Sequence, residues 1–292
     1  MQDERPSARK KQRVLITGAS GLLGSNLVLL HPEHWECIAL VNTHPLSHPP
    51  AGVTVLSGDL GNKSSIESML DQYLPLYSII HTAANTNVDQ CEREPTLAET
   101  QNTNLAINIA QYARQNNIYL VHISTDHIFD GNKGSYKETD APNPINNYAK
   151  TKLRAEESIL NLHGKKSMAI RTNFFGYNMQ DKHDLADWMC SKLTAGESIK
   201  LFNDVYFSPL LVNYLVSAIV EIVERGTTGI LHVAASDHCS KHEFGLMLAR
   251  AFDFDTRLIT PISIDESGLI VPRPKNMTLN TTAAQALLTT RL

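Results

Sequence analysis

The first apolar run of this chain, Val14-Leu15-Ile16, empties into Thr17-Gly18-Ala19-Ser20-Gly21-Leu22-Leu23-Gly24, and helical spacing resumes over Leu22–Leu30. A buried strand that breaks at glycines and restarts as a helix belongs to few architectures, chiefly sheets of parallel strands joined by crossover helices. The alternation then repeats. Residues 37–41, 53–56, Ser78–His81 and Tyr119–Ile123 read as strands. Between them, 64–74 carries Ile66, Met69, Leu70 and Tyr73 on one side, and 97–115 is a longer helical stretch. Strands that are apolar almost without interruption need cover on both faces, so the expected fold is a doubly wound α/β sheet of Rossmann type.

The later half is less regular. Helical patterns cover 148–162, 185–193 and 211–224, with strands at 168–170 and 229–233, an extended run at 199–202 and an irregular stretch at 173–177. Ser240-Lys241-His242-Glu243 has the form of a capping box ahead of an amphipathic helix over 244–252, whereas Pro272-Arg273-Pro274-Lys275 reads as a loop. The expected organisation is a disordered tail over 1–12 and a dinucleotide-binding domain over 13–171, rejoined by elements near 205–236. A smaller α/β substrate domain would be drawn mainly from 172–204 and 237–292.

Composition narrows the function classes. Among 292 residues, 26 Lys and Arg stand against 30 Asp and Glu, a net charge of −4, which does not suit a nucleic-acid partner. Cys37, Cys91, Cys190 and Cys239 are far apart and suit a reducing compartment. The polar residues 1–13 lack the apolar core of a secretory signal, and 210–223 is broken by Asn213, Ser217 and Glu221, too polar for a bilayer span. A cytoplasmic protein is expected. His238, Cys239 and His242, like His31, His34 and Cys37, lack zinc spacing, so no metal is expected.

Two patterns carry chemistry. The glycine bend, Gly18 to Gly24, would seat a dinucleotide pyrophosphate on the N–H groups that open the helix. No Asp or Glu lies between Glu36 and Asp59, where a carboxylate would hold the ribose of NAD; the strand ends Val41-Asn42-Thr43-His44, which tilts the cofactor toward NADP, with NAD the alternative. Asp59 is either an adenine contact or a turn residue. The second pattern is Tyr148 with Lys152 at i and i+4 on one helix face, where an ammonium would lower the phenol's pKa toward neutrality and suit it for acid–base work on a carbonyl/alcohol pair. A hydroxyl of Ser124-Thr125-Asp126, ending a strand upstream, would bind the same oxygen. Arg273 and Lys275 are either contacts for a substrate diphosphate or an exposed basic loop.

These residues resemble the extended short-chain dehydrogenase/reductases, and within them the branch of dTDP-4-dehydrorhamnose reductases and related sugar-nucleotide reductases. The likeness spans nearly the whole chain through Thr17 to Gly24, Gly58-Asp59-Leu60, His81 to Asn85, Ser124 to Gly131, Tyr148 to Lys152, Arg171-Thr172-Asn173 and Pro272-Arg273-Pro274. The run Ser124-Thr125-Asp126-His127-Ile128-Phe129-Asp130-Gly131 is the most specific. The resemblance implies that Thr125, Tyr148 and Lys152 are catalytic, with Tyr148 and Lys152 also touching the cofactor and Lys152 holding its nicotinamide ribose. It implies cofactor contacts at Gly18, Ser20, Gly21, Leu22, Leu23, Gly24, Asn42, Asp59, Leu60, Ala83, Ala84, Asn85, Asn102 and Asn173, and substrate contacts at Thr125, Asp126, Phe129 and Arg273. His127 stands where the branch usually has Tyr. Dehydratase relatives carry a Glu after the Asp, which is missing here, so simple reduction is expected rather than dehydration. The implied activity is reduction of a nucleotide-activated 4-keto-6-deoxy sugar by a monomer or homodimer. Two alternatives stay open: a cofactor-binding regulatory subunit similar to that of methionine adenosyltransferase, and an epimerase that retains NAD.

Overall fold

The computed structural model describes residues 11–177 and 184–292. Gln12–Thr17 (β1), Trp35–Val41 (β2), Thr54–Ser57 (β3), Ser78–His81 (β4), Tyr119–Ile123 (β5), Ser167–Arg171 (β6) and a last strand, Gly229–His232, form a seven-stranded sheet. From one edge the order is Gly229–His232, β6, β5, β4, β1, β2, β3, and every pairing is parallel. The chain leaves β1 toward β2 and β3, then crosses to the other side of β1 for β4. At that reversal the crossovers diverge, the position at which sheets of this kind take a ligand beyond the carboxyl ends of their strands, here β1 and β4.

Side chains alternate between the two faces. Val14, Ile16, Ala39, Ile80, Val121 and Ile170 pack beneath the helices Leu22–Leu30 (α1) and Val212–Arg225. Leu15, Ile38, Leu40, Ile79 and Leu120 pack on the other face with Ile66, Leu70, Ile109, Tyr112, Ala155 and Ile159. The doubly wound α/β sheet expected from the alternation is the fold of the chain.

Most of the tail expected over 1–12 lies outside the described residues. Gln12 and Arg13, however, belong to β1: Gln12 pairs with Trp35, and Arg13 bonds the Tyr73 carbonyl at 2.7 Å and pairs with Glu36 at 3.0 Å. The ladder with β2 thus starts before the apolar run does. The helical stretch expected over 97–115 begins at Pro95 and passes through a wider π-helical turn, Glu99–Asn104, before Leu105–Gln115.

A second hydrophobic cluster lies apart from the sheet. Met189 and Leu193 of the helix Leu185–Thr194, Ile199 and Leu201 of the strand Ile199–Phe202, Phe244 and Leu248 of the helix Lys241–Ala251, and Val205, Phe207, Ile259 and Met277 build it. Ile199–Phe202 pairs in parallel with Ile259–Ile262, and Phe175 and Phe207 meet Phe244 edge-on at 4.9 and 5.4 Å. Ser240 and Glu243 form the expected capping box. The terminal helix, Thr282–Leu287, instead sends Ala284 back to the sheet core.

Candidate active site

Thr17 ends β1, and Gly18 turns the backbone at φ +67°, a left-handed conformation in which a side chain would sit 2.7 Å from the Ala83 backbone. A Cβ on Gly24 would strike the Gly18 carbonyl oxygen, so the first turn of α1 packs against the bend. Gly21 caps α1 with no side-chain acceptor, and the first turn carries no acidic residue. Uncapped N–H groups at a helix start, reached only through glycines, fit the pyrophosphate of a dinucleotide. Ser20, Leu22 and Leu23 belong to this same turn, and Ala83 and Ala84 lie across from it after β4.

The helix Asn147–His163 carries the second pattern. Asn146 caps it by accepting from the Ala149 N–H at 3.0 Å, and ties it to the far loop by donating to the Pro272 carbonyl at 3.1 Å. Lys152 is 4% exposed and its Nζ donates to the Ile123 carbonyl, at the end of β5, at 2.6 Å. Tyr148 is 8% exposed, with the His127 ring edge-on at 5.7 Å and Thr125 within hydrogen-bonding reach of the phenol.

The titration of this pair departs from the sequence expectation. Burial pushes the Tyr148 phenol up to about 12, the Thr125 hydrogen bond opposing this, rather than toward neutrality. Burial likewise brings the Lys152 ammonium down to about 8, with the Glu156 carboxylate opposing. The amine spends a proton on a main-chain carbonyl instead of facing the phenol, so i,i+4 spacing places the two groups on one face without making one ionise the other.

Thr125 opens a short turn after β5. Its Oγ1 accepts from the His127 N–H and donates to Asp126 Oδ1, both at 3.2 Å, while Asn173 Nδ2 donates to Asp126 Oδ2 at 2.7 Å. Thus Thr125, Asp126, Asn173 and Tyr148 gather beyond the ends of β5 and β6. The bend is joined to them through the sheet: Thr17 Oγ1 bonds His81 Nδ1 at 2.7 Å, His81 stacks on His122 at 5.6 Å, and both imidazoles feel the Lys152 charge. Burial holds His81 at about 3 and His122 well below the usual range, so both are neutral near pH 7.

The other expected site residues have partners within the chain or lie at the ends of strands. Phe129 is 0% exposed, stacked on Tyr136 at 4.1 Å with Arg171 above its ring, which corrects its expected place on the substrate surface. Asn102, in the π-helical turn, accepts from the Asn85 N–H at 2.7 Å and donates to the Asn85 carbonyl and to Thr151, shaping the loop after β4. Asp59 is exposed and accepts from the Gly61 N–H at 2.9 Å, a turn contact; Leu60 is buried and Asn42 is exposed at the end of β2. Arg273 pairs with Asp89 at 2.9 Å and donates to the Val271 carbonyl. Sequence reading missed Glu156, buried one turn beyond Lys152 and paired with Arg171 at 2.6 Å. Its i+4 spacing from Lys152 was the available signal.

The family described as the RmlD substrate binding domain matches residues 12–292. A protein of Haloferax volcanii named a probable low-salt glycan biosynthesis reductase is 28% identical over 91% of this chain and 88% of its own. Methionine adenosyltransferase 2 subunit beta of Xenopus tropicalis is 27% identical over 92% of this chain and 80% of its own. The crystal structure of dTDP-4-dehydrorhamnose reductase from Bacillus anthracis in complex with NADP superposes with a TM-score of 0.84 at 28% identity, covering 96% of this chain and 95% of that one.

Proposed function

The chain belongs to the RmlD substrate binding domain family, a branch of the extended short-chain dehydrogenase/reductases, and from that premise we propose that it reduces the 4-keto group of dTDP-4-dehydrorhamnose. In the coarser sense it is an NAD(P)-dependent oxidoreductase acting on sugar nucleotides. The observation that carries the finer reading is the convergence of Thr125, Tyr148 and Lys152 at the same carboxyl end of the parallel sheet as the glycine bend.

When bound, the reduced nicotinamide supplies hydride to the keto carbon. Thr125 Oγ1 turns from Asp126 to donate a hydrogen bond to the keto oxygen. Tyr148, held protonated by its burial, gives its phenolic proton to the same oxygen as negative charge develops there. Lys152, anchored on the Ile123 carbonyl, would hold the cofactor's nicotinamide ribose and supplies a positive charge to the site while it stays protonated. His127 follows Asp126 in place of a glutamate, so the second acid–base group that dehydration requires is missing. Residues 13–171 hold the cofactor in this proposal and the cluster around Phe244 serves the sugar. Among the described residues no helix is long and apolar enough to cross a membrane, and we place the protein in the cytoplasm as a monomer or homodimer.

The test follows NADPH absorbance with a panel of keto-sugar nucleotides. Consumption is expected with the 4-keto-6-deoxyhexose, and Y148F should keep NADPH binding while losing about 10²–10⁴-fold in turnover. Wild-type turnover in Y148F would remove Tyr148 from the mechanism. The relatives named methionine adenosyltransferase 2 subunit beta favour a second reading, a cofactor-binding regulatory subunit. No NADPH consumption with any keto sugar, together with stable co-purification with another enzyme, would select it.

A further inference from the structure

Lys241 is the first residue of the helix Lys241–Ala251, behind the Ser240 cap. Its N–H donates to the Val205 carbonyl at 3.0 Å, which fixes where the side chain starts. From there the half-buried chain runs over Phe207, with Nζ 3.2 Å from the ring centroid. Among the described residues this ammonium has no hydrogen bond and no ion pair. Burial lowers its pKa to about 8, with the Asp126 charge opposing.

The charged groups around it are already committed. Asp126 accepts from both Asn173 and Thr125. Arg273, which shares the field at His127 with Lys241, is paired with Asp89. His127 is held below its ordinary pKa by burial, and Cys239 is pushed up to about 11, so neither adds charge near pH 7. Among the described residues this ammonium rests on an aromatic face with no hydrogen-bonded or ion-paired partner, and the Asp126 carboxylate whose charge it feels already accepts from Asn173 and Thr125, so the amine's own donors are open to an anion from outside. The ring beneath it holds the ammonium in place.

We propose that Lys241 is a specificity-determining substrate residue whose ammonium takes an anionic oxygen of the ligand. Resting on the sugar-nucleotide reading above, that oxygen belongs to the diphosphate; a carboxylate on the sugar is the other source of the same chemistry.

Calorimetric titration of the full chain with dTDP, dTDP-glucose and dTDP-glucuronate separates the cases. In K241M the Kd for dTDP should rise roughly ten- to hundredfold, whereas K241R should stay near wild type and NADPH affinity should be unchanged in both, which shows that the variants fold. Loss confined to dTDP-glucuronate would assign the contact to a sugar carboxylate. Unchanged affinity for all three ligands in K241M overturns the proposal. Because dTDP is not turned over, this result stands apart from whether any keto sugar is reduced.

Discussion

Tyr148 and Lys152 occupy successive turns of one helix, yet burial governs the titration of both more than either governs the other. With the phenol at about 12 and the ammonium at about 8, the limb to watch is the lysine's. Its positive charge is present below about pH 8 and lost above it, so kcat/KM for keto-sugar reduction should fall as pH rises through that value. A profile flat to pH 10 would detach Lys152 from the rate. Phe129 invites a different measurement. Its ring is enclosed by Tyr136 and Arg171, so F129A should cost about 3–5 kcal/mol in a denaturant melt and leave the KM for substrate nearly unchanged in the folded fraction. A raised KM at unaltered stability would return Phe129 to the substrate surface.

At the scale of elements, two attachments matter most. The first turn of α1 approaches the bend so closely that Gly24→Val must displace backbone; we expect at least about 1–3 kcal/mol of destabilisation and loss of NADPH binding, read by thermal melts with and without cofactor. The second attachment holds the chain's end. Glu221, on the helix Val212–Arg225, accepts from the Thr289 and Thr290 N–H groups and from Arg225. Burial alone would raise its pKa, but these donors hold it at about 2. Its stabilising contribution is therefore full above the ordinary carboxylate pKa of 4.5 and disappears as pH falls toward 2. E221Q should cost about 1–3 kcal/mol near neutrality and flatten that part of the acid-unfolding curve; identical curves for the two proteins would show the end of the chain to be held by other contacts.

For the whole molecule, the chain passes from the sheet to the cluster around Phe244 just after β6, where Phe174 packs on the sheet core and Phe175 on that cluster, and a ligand bound to the folded chain alone stabilises it. NADPH at a hundred times its Kd should add about 2.7 kcal/mol and raise the melting temperature; no shift at any concentration would leave the glycine bend without its ligand. The sheet was legible in the chain because its information is local: apolar runs of strand length, helical spacing between them, and glycines where backbone must touch backbone at Gly18 and Gly24. The pairing of Tyr148 with Lys152 on one helix face was legible for the same reason. What spacing cannot carry is environment. That Phe129 turns inward, that Asn102 holds the Asn85 backbone, that Arg273 is taken by Asp89 and that Lys152 bonds the Ile123 carbonyl all depend on groups 7 to 184 residues apart. Proton affinities, too, follow from how much water packing removes, and that is a property of the assembled fold.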